Sequence, residues 1–563
     1  MFARRISNAL REAAAGLGAP DAGVRLDRPK DPAHGDLASN LALTLASRLR
    51  RRPRDIALDL RERLDGIEGV ERIEVAGPGF LNFFLDSATV GGTLRRILAT
   101  RGGYGGSRDG GGRRIMVEFV SANPTGPLHL GHGRQAALGD VIARLLEWSG
   151  WRVHREFYFN DAGRQILRLA ESVRARYQQL LGHDEPIPDG GYHGEYVREI
   201  AGAFLECEGR RYEQERGEAA LEAMRGFAVN ELRKEQERDL AEFRVEFDEY
   251  YPESSLHSDG RVAETVRALD ETGLTYHRDG AHWLQTTRFG DQKDRVMVRS
   301  DGSATYFLPD VAYHMSKWER GFHEVVNVQG SDHHGTVDRV RAGLQALGRP
   351  AGYPEYVLHQ MVTVERGGEE VRFSKRAGSY TTLAELVAEV GADVARYFFL
   401  MRRPEAHLVF DLDLALDQSD KNPVYKIKYA HARLCRLSRL ARRRGWDGME
   451  GPDAPEADAS LLAAPAEREL INRLGEFPGF LRRAARGRAP HVVCDYLERT
   501  AGLVNSWYQA GHPTRSPELA ALVEGDEPLR NARLTLAVAA RTVLANGLAV
   551  LGIEAPQRMV RSE

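Results

Sequence analysis

The sequence predicts an α/β protein with a central parallel sheet, preceded by a small α+β module and followed by a helix-dominated domain. Residues Ile115 to Val120 form a short, β-rich apolar run, which is typical of a buried parallel strand. A polar loop with two prolines follows, and from Gly133 apolar residues recur at helical spacing until Ser149 and Gly150. This order of strand, loop and helix is typical of a nucleotide-binding unit, with the ligand at the carboxyl end of the strand.

Length and composition narrow the class of protein. A chain of 563 residues suggests about three or four domains. Its 42% hydrophobic and 28% charged residues are ordinary for a soluble globular protein. The net charge of −3 means that any nucleic-acid-binding surface must be a local patch. The three cysteines, Cys207, Cys435 and Cys494, are far apart, which excludes a disulfide framework or a CxxC zinc site and fits a reducing compartment.

Neither end of the chain predicts membrane insertion or secretion. The most apolar stretch, Leu534–Ile553, contains Arg541, so we do not expect it to span a membrane. The first 18 residues have the pattern of an amphipathic helix without the apolar core of a secretory signal.

Residues 1–101 are predicted to form a separate α+β module. Its predicted elements are two helices and two strands: Ile6–Leu17, Leu37–Leu49, Arg72–Val75 and Phe80–Phe84. The turn-rich segment 29–40, PKDPAHGDLASN, is interpreted as a loop leading into a helix, with no chemistry of its own. Residues 102–112, GGYGGSRDGGG, are predicted to be a flexible linker because they are rich in glycine.

The tetrapeptide His129-Leu130-Gly131-His132 stands where the central helix is expected to begin. Two histidines three residues apart lie on one helix face, close to the helix N-terminus, which favours anions. Both rings can therefore donate to phosphate oxygens as charge builds during displacement at an α-phosphate. Gly131 has no side chain, so a flat base could lie on its backbone. The alternative is a chance pattern or a surface helix cap.

The middle of the chain repeats the β–loop–α pattern. A strand-like run at Val153–Phe159 precedes Asn160 to Gly163 and a second helix. From about residue 184 to 250 the chain is dense in Glu, Arg and Lys at helical spacing, which predicts a helical insertion with a solvated face rather than a charge-driven function.

A buried strand at Val325–Val328 leads to GSDHHG at 330–335. Adjacent His333 and His334 raise the alternative of a metal site, but adjacent histidines in a strand point apart and no third ligand has suitable spacing. The preferred interpretation is a loop at a strand's carboxyl end that lines a ligand pocket.

A second signal lies in the segment Val371–Ser379, VRFSKRAGS, after a strand-like run at Gln360–Glu365. Cations beside glycine and serine on a loop suit a triphosphate: Lys375 as a point charge, and Arg372 or Arg376 as a bidentate donor. Such a loop can stabilise a leaving pyrophosphate.

From about residue 417 the sequence is dominated by helices. The first, Asn422–Arg444, is strongly basic, with cations at Lys426, Lys428, Arg433, Arg436, Arg439, Arg442, Arg443 and Arg444. A basic helix can be merely solvated, but in a chain of net charge −3 this density favours a phosphate-backbone partner.

These motifs resemble those of a known family. HLGH at 129–132 and FSKR at 373–376 resemble the HIGH and KMSKS signatures of class I aminoacyl-tRNA synthetases. Longer stretches across nearly the whole chain are similar to bacterial arginyl-tRNA synthetases: VEFVSANPTGPLHLGHGRQAALGD, REFYFNDAGRQI, GSDHHG, SKRAGSYTTL, GADVARYFFLMR, NPVYKIKYAHAR and LANGLAVLGIEAPQRM. DPAHGDLASNLA resembles the N-terminal domain of that family.

The resemblance implies three domains. They are an α+β tRNA-binding domain at 1–101, a Rossmann-like class I synthetase catalytic domain at 102–416 with the helical insertion at about 184–250, and an all-α anticodon-binding bundle at 417–563. It implies activation of L-arginine with ATP to arginyl-adenylate and transfer to the 3′-terminal adenosine of tRNA(Arg), with tRNA bound before the adenylate forms. ATP is expected as its Mg²⁺ complex, with no tightly bound cofactor and no metal ligands from the protein.

The resemblance also implies roles for individual residues. His129, Gly131 and His132 would bind ATP and stabilise the transition state, and Ser374, Lys375 and Arg376 would contact the pyrophosphate. The arginine pocket would contain Glu118, Ser121, Asn123, Tyr306 and Asp310. A guanidinium is a planar fork of donors that a carboxylate satisfies, and an asparagine and a hydroxyl suit the amino and carboxylate ends. The alternatives are a surface position for Glu118 and a helix N-cap for Asp310.

For tRNA, the resemblance points to Lys426, Lys428, Arg433 and Arg436 on the basic helix. Trp507 and Tyr508, with Tyr429 as a further candidate, are proposed to stack on bases. The partners are thus tRNA(Arg), ATP and L-arginine, and we expect a cytoplasmic monomer without membrane association.

One departure from the family is Arg372-Phe373-Ser374-Lys375 in place of KMSK, which keeps the charge, the apolar contact and the second lysine. Two other functions are considered. A small-molecule nucleotidylyltransferase also uses HxGH, but the length and the basic helical domain argue against it. A non-catalytic tRNA-binding paralogue is disfavoured by the intact His129, His132 and Lys375.

Overall fold

The computed structural model describes residues 2–29, 31, 34–64, 66–161, 163–215, 217–371, 382–446, 457–511 and 515–559. Ser374, Lys375 and Arg376, together with Arg372, lie outside these ranges.

The N-terminal part is an α+β module, as predicted. Its elements are α1 Phe2–Gly16, β1 Leu37–Ser39, α2 Leu41–Leu49, α3 Pro53–Arg63, β2 Val70–Ala76, β3 Phe80–Leu85 and α4 Ser87–Thr100. The strands form an antiparallel sheet in the order β1-β3-β2. The predicted helix Leu37–Leu49 is wrong in its first turn, because Leu37 to Ser39 pair with β3 before the helix begins at Leu41.

The glycine-rich segment 102–112 is not the flexible linker that its composition predicts. Tyr104 is only 4% exposed, and its hydroxyl donates to the Leu474 carbonyl at 3.2 Å. The Asn546 side chain donates to the carbonyls of Arg101 and Tyr104. Tyr104 therefore attaches this segment to the C-terminal helices. The glycine content of the segment gives no indication of this contact.

The central part is a parallel sheet with helices on both faces. Its elements are β4 Arg114–Glu118, α5 Leu130–Trp148, β5 Arg152–Phe159, α6 Arg164–Leu180, α7 Glu195–Glu208, α8 Glu218–Glu242, β6 Glu249–Pro252, α9 Glu253–Ser258, α10 Arg261–Glu271, β7 Thr275–Arg278, β8 Ala281–Leu284, β9 Arg295–Val298, α11 Phe307–Glu319, β10 Val325–Gly330, α12 His334–Ala346, β11 Glu355–His359, β12 Val362–Arg366, β13 Glu369–Glu370, α13 Leu383–Val390, α14 Ala392–Leu400, β14 Leu408–Asp411 and α15 Leu412–Leu416.

The five-stranded parallel sheet has the order β11-β10-β4-β5-β6, with two three-stranded sheets, β7-β8-β9 and β13-β12-β14, beside it. Strand β4 comes first in the chain and lies in the middle, so the chain winds outward in both directions from it. This is the doubly wound, Rossmann-like order, in which ligands bind at the carboxyl ends of the central strands. The predicted α/β fold is confirmed.

The charge-dense insertion is helical, as predicted, and it has its own core. Helices α6, α7 and α8 pack together around a buried cluster that includes Leu169, Phe204 and Met224. Helix α6 belongs to this unit as well as to the β–loop–α repeat, so the unit contains three helices.

The C-terminal part is a helical bundle, as predicted. It consists of α16 Pro423–Arg443, α17 Pro465–Arg486, α18 His491–Ala510 and α19 Glu527–Val550. Helix α19 is long and apolar enough to cross a membrane by length and composition, but 78% of its most apolar stretch is buried in the protein. It is therefore best explained as the core helix of the bundle.

Two buried carboxylates connect segments that are distant in the sequence. Asp36, in the DPAHGD segment, accepts from the Leu85 backbone N–H at 2.8 Å, from Arg468 at 3.3 Å and from Asn472. Asp140 on α5 pairs with Arg396 on α14, whose guanidinium also donates to the Leu551 carbonyl at 3.0 Å. The DPAHGD segment thus has a structural function that we did not predict: Asp36 fastens the N-terminal module to α17.

We expect Asp36→Ala to loosen the N-terminal module, because it leaves the donors of Leu85, Arg468 and Asn472 without this acceptor. The midpoint of thermal unfolding should fall, and protease cleavage within residues 102–112 should accelerate. Asp59→Ala, which breaks an exposed ion pair with Arg51, is the control and should change neither. Equal cleavage rates in the two variants would contradict this role of Asp36.

Candidate functional site

A cavity of about 960 Å³ opens at the carboxyl ends of the central strands. Residues from β4, α5, β10, α11 and β11 line it, as the doubly wound topology requires. Of the residues predicted to act at the site, it brings together Glu118, Ser121, Asn123, His129, Gly131, His132, Tyr306 and Asp310. Ser331, Asp332 and His333 also line it, which confirms the pocket interpretation of GSDHHG.

The two histidines of the HxGH motif stack on each other at the start of α5. Their ring centroids are 3.7 Å apart. Nδ1 of His129 accepts from the Gly131 backbone N–H at 3.1 Å, and Nδ1 of His132 accepts from the His129 backbone N–H at 3.3 Å. A ring nitrogen that accepts carries no proton, so in each neutral ring the proton is on Nε2. Both rings are therefore fixed as Nε2–H donors.

Three histidines of the cavity, His129, His132 and His359, have lowered pKa values. Burial, together with His129 and His359, lowers the pKa of His132 to about 3. Burial also lowers the pKa of His129, against the opposing effect of Asp332, and lowers that of His359 to about 4. They thus present hydrogen-bond donors rather than fixed positive charges.

Gly131 is required by the ring beside it. A Cβ at this position would lie 2.9 Å from Cε1 and 3.0 Å from Nδ1 of His129. Any side chain here would push the His129 ring away from its capping position. The reason for glycine is therefore contact with His129, whereas the sequence suggested only space for a flat base.

The carboxylate of Glu118 is buried at the end of β4 and already has a cation. Lys317 Nζ bonds to it, and the Ser121 hydroxyl donates to its Oε1 at 3.0 Å. Lys317 is 0% exposed, and its ammonium also donates to Asn327 at 3.2 Å. Burial lowers the pKa of Lys317, although Glu118 and Glu156 raise it. The surface alternative for Glu118 is therefore wrong, and its charge is neutralised from within the protein.

Asp310 is a cavity carboxylate that forms no ion pair with any described residue. It lies in the first turn of α11, one turn after Tyr306, and both line the cavity. Burial raises the pKa of Asp310 to about 7, with Arg339 opposing this and the charges of Glu253 and Glu118 adding to it. The Asp310 carboxylate forms no hydrogen bond with the side chain of any other described residue. The N-cap alternative is wrong, since the cap position of α11 belongs to Tyr306.

The sequence reasoning missed Lys317, which bonds to the cavity residue Glu118, and several residues that line the cavity. Lys317 lies two turns after Asp310 on α11, a helical spacing that could have indicated it. Gln329 Oε1, His314 Nδ1 and His359 Nε2 are buried and have no hydrogen-bond partner in the described part of the chain. Unpaired buried polar atoms in a cavity wall indicate a polar ligand.

The motif that suggested a metal is not in a strand. His333 ends a 3₁₀ turn and His334 begins α12, and among described residues no third ligand joins them. Elsewhere, His154, Glu156 and Glu249 gather ligand atoms within 4.8 Å of one another. Arg320 already donates to both of these carboxylates, so we interpret that group as an ion-pair cluster.

The segment that contains Ser374, Lys375 and Arg376 lies outside the described residues, but both of its neighbours adjoin the cavity. Val371 lines the cavity and donates its backbone N–H to Val364 at 2.9 Å. On the other side, Thr382 forms a bridge with His129, and the Leu383 N–H donates to the Leu128 carbonyl at 2.7 Å.

The predicted tRNA-binding residues have different surroundings on the C-terminal bundle. Arg436 is exposed, and Lys426 is 3.6 Å from Glu498. Arg433 stacks between the rings of Tyr429 and Tyr508, 4.6 and 4.8 Å from their centroids. These side chains share one side of the bundle around α16.

Two of the predicted tRNA contacts need correction. Trp507 is 2% exposed and belongs to the core of the bundle, so it cannot stack on a base in this conformation. Lys428 bonds to Asp393 on α14, so its charge is already neutralised by a carboxylate of the protein.

Comparisons with known proteins agree along the whole chain. Residues 1–85 match the family described as "Arginyl tRNA synthetase N terminal domain", residues 93–399 match "tRNA synthetases class I (R), catalytic domain", and residues 427–559 match "DALR anticodon binding domain". The arginine–tRNA ligase of Thiobacillus denitrificans is 48% identical over 559 residues, 98% of each chain. That of Methylibium petroleiphilum is 49% identical over 544 residues, 95% of each chain.

A solved structure is similar as well. Thermus thermophilus arginyl-tRNA synthetase superposes with a TM-score of 0.75 at 25% identity, covering 99% of this chain and 100% of that chain. The predicted class I architecture with an N-terminal domain and a C-terminal helical domain is thereby confirmed.

We expect Lys317→Met to destabilise the protein by about 3–5 kcal/mol, because it leaves the buried Glu118 carboxylate without its cation. Urea denaturation followed by tryptophan fluorescence measures this. The double variant Glu118→Gln/Lys317→Met should recover most of the loss. The control is Glu319→Gln. Glu319 lies on the same helix as Lys317, and the substitution breaks only an exposed ion pair with Arg261. A loss in Lys317→Met no larger than in this control would refute the assignment.

Proposed function

Because the chain belongs to the arginyl-tRNA synthetase family, we propose that it activates L-arginine with ATP and transfers the arginyl group to tRNA(Arg). The observation that supports this most directly is that one cavity contains both the HxGH donors and a carboxylate, Asp310, that no described residue engages in an ion pair. The first suits a nucleotide phosphate and the second suits a guanidinium.

In the first step a carboxylate oxygen of arginine attacks the α-phosphorus of ATP. The bond from that phosphorus to the bridging oxygen of pyrophosphate breaks, giving arginyl-adenylate and pyrophosphate. The Nε2–H groups of His129 and His132 donate to phosphate oxygens as negative charge builds on them. No general base is needed, since the attacking carboxylate is already ionised and positioning carries the reaction.

The arginine side chain lies with its guanidinium against Asp310 and Tyr306. Glu118 contributes through its bond to Ser121 rather than as the guanidinium partner, because Lys317 neutralises it. Ser121 and Asn123 contact the amino-acid end. A lysine substrate would present one ammonium instead of a planar fork and would leave buried acceptors unpaired, which gives the pocket its specificity.

The leaving pyrophosphate is stabilised by Ser374, Lys375 and Arg376, and ATP is taken as its Mg²⁺ complex. In the second step a hydroxyl of the terminal adenosine of tRNA attacks the arginyl carbonyl and AMP leaves. The basic helix α16, with Lys426, Arg433 and Arg436, binds the RNA backbone, and Tyr508 with Tyr429 offers aromatic faces.

The division of labour follows the domains expected from the sequence. Residues 1–101 and 417–563 bind tRNA, and residues 102–416 carry out the chemistry. The enzyme works as a cytoplasmic monomer.

Amino-acid-dependent ATP–pyrophosphate exchange tests this function, run with and without total tRNA. Among the amino acids, we expect only arginine to support exchange, and only when tRNA is present. His132→Ala should reduce the rate at least a hundredfold, because it removes a donor to the transition state. The variant should retain its affinity for tRNA in a filter-binding assay.

Two outcomes would contradict the proposal. Exchange with a substrate other than an amino acid, without RNA, would favour a small-molecule nucleotidylyltransferase. Tight tRNA binding without any exchange in folded protein would indicate a non-catalytic paralogue.

The raised pKa of Asp310 predicts how arginine affinity depends on pH. A carboxyl group with a pKa of about 7 is mostly ionised at pH 8 and mostly protonated at pH 6. The KM for arginine should therefore rise about tenfold as pH falls between these values. The KM for ATP should stay level, because His132 and His359 titrate at lower pH.

Asp310→Asn is the matched variant for this measurement. It should have a high KM for arginine at every pH and no remaining dependence between pH 6 and 8. Persistence of the pH dependence in Asp310→Asn would assign it to another group.

A further inference from the structure

The helical insertion bonds to the loop that follows β4, at the edge of the catalytic site. This loop, residues 119–126, contains Ser121 and Asn123 of the proposed arginine pocket. Each of the three insertion helices contributes one polar side chain to it: Gln165 from α6, Tyr196 from α7 and Gln236 from α8.

The contacts are specific hydrogen bonds. The Tyr196 hydroxyl donates to the Thr125 carbonyl at 2.6 Å. The Gln236 amide donates to the carbonyls of Asn123 at 3.2 Å and Gly126 at 3.0 Å. The Asn123 amide donates to Gln165 Oε1 at 2.7 Å. Gln236 is 2% exposed, so water cannot readily replace its two bonds.

The same loop has an unfavourable backbone at its start. Val120 has φ of +67° and Ser121 has φ of +44°. Positive φ costs energy for any residue with a Cβ, most of all for a β-branched valine. Such a conformation persists only where surrounding contacts determine it, and on the sheet side Ser121 Oγ supplies two, to Glu118 and from the Tyr158 N–H.

We propose that the insertion is a brace for this loop, and that Tyr196 and Gln236 are positioning residues for arginine binding. The inference rests on the proposed function and extends it to residues that touch no substrate. Since the loop meets the amino-acid end of arginine, the brace should govern recognition of that end and leave the guanidinium end to Asp310.

Tyr196→Phe and Gln236→Met remove the hydrogen bonds while keeping the volume of the side chains. Tyr192→Phe is the matched control: it lies on the same insertion, and its hydroxyl makes no hydrogen bond to a described residue. The KM values for arginine and ATP are measured by pyrophosphate exchange at saturating tRNA. The inhibition constant of butylguanidine, which lacks the amino and carboxylate groups, is measured alongside.

We expect Tyr196→Phe to raise the KM for arginine about 3- to 10-fold, the size of one lost hydrogen bond, and the double variant to raise it further. The KM for ATP and the inhibition constant of butylguanidine should change less than about twofold, because neither ligand depends on the loop that the insertion supports. Tyr192→Phe should match the wild type.

An unchanged KM for arginine in the double variant would overturn the inference. So would a parallel rise for arginine and butylguanidine, which would indicate general loosening of the pocket. If Asp310→Asn affects neither ligand, the proposed arginine pocket itself fails, and the brace with it. The two kinds of failure are therefore distinguishable.

Discussion

The buried ion pair between Asp140 and Arg396 fixes the element on which the rest of the site depends. It holds helix α5 against α14, and Arg396 also binds the end of α8 and the segment after α19 through their carbonyls. Helix α5 is enclosed so closely that a Cβ on Gly133 would lie 2.7 Å from Leu383. A helix held this rigidly can present two histidines in one orientation. It also packs against strands β4, β5 and β10 and against helices α17 and α19 of the C-terminal bundle.

The electrostatics of the cavity follow from where the protein supplies its own countercharges. Glu118 and Glu156 are neighbours in register on β4 and β5, and both are buried. Two adjacent carboxylates would repel each other strongly at low dielectric. Helix α11 supplies Lys317 to one and Arg320 to the other, three residues apart on the same face. Within the described part of the chain Asp310, on the same helix, forms no ion pair, and this difference supports the proposal that it binds the substrate's guanidinium.

Features encoded locally could be predicted from the sequence. Hydrophobic periodicity and residue composition were enough to predict the strand, loop and helix around residues 114–148, the HxGH motif and the basic helix α16. Contacts between distant segments could not. Tyr104 is buried in a glycine-rich segment because helices some 370 residues later cover it. Trp507 is an aromatic residue of the kind that stacks on bases, but it faces the core of the bundle. The sequence of α18 does not reveal which of its faces the other helices cover. Gln236 is polar in a charged helix, and only the tertiary fold places it against the loop after β4.

The insertion shows why such residues escape sequence reasoning and still matter. The charge-dense helical segment has a core of its own, and its charge pattern is therefore naturally interpreted as that of a solvated appendage. Yet the loop at the end of β4 contains two residues with positive φ, and the carbonyls of Asn123, Thr125 and Gly126 lie outside the strands. Tyr196 on α7 and Gln236 on α8 donate to these carbonyls from outside the sheet, and Gln165 on α6 accepts from the Asn123 side chain. The geometry of the pocket is therefore determined on one side by the ion pairs of α11 and on the other by neutral hydrogen bonds. Substitutions on the first side should act mainly through charge and pH, and those on the second through shape alone.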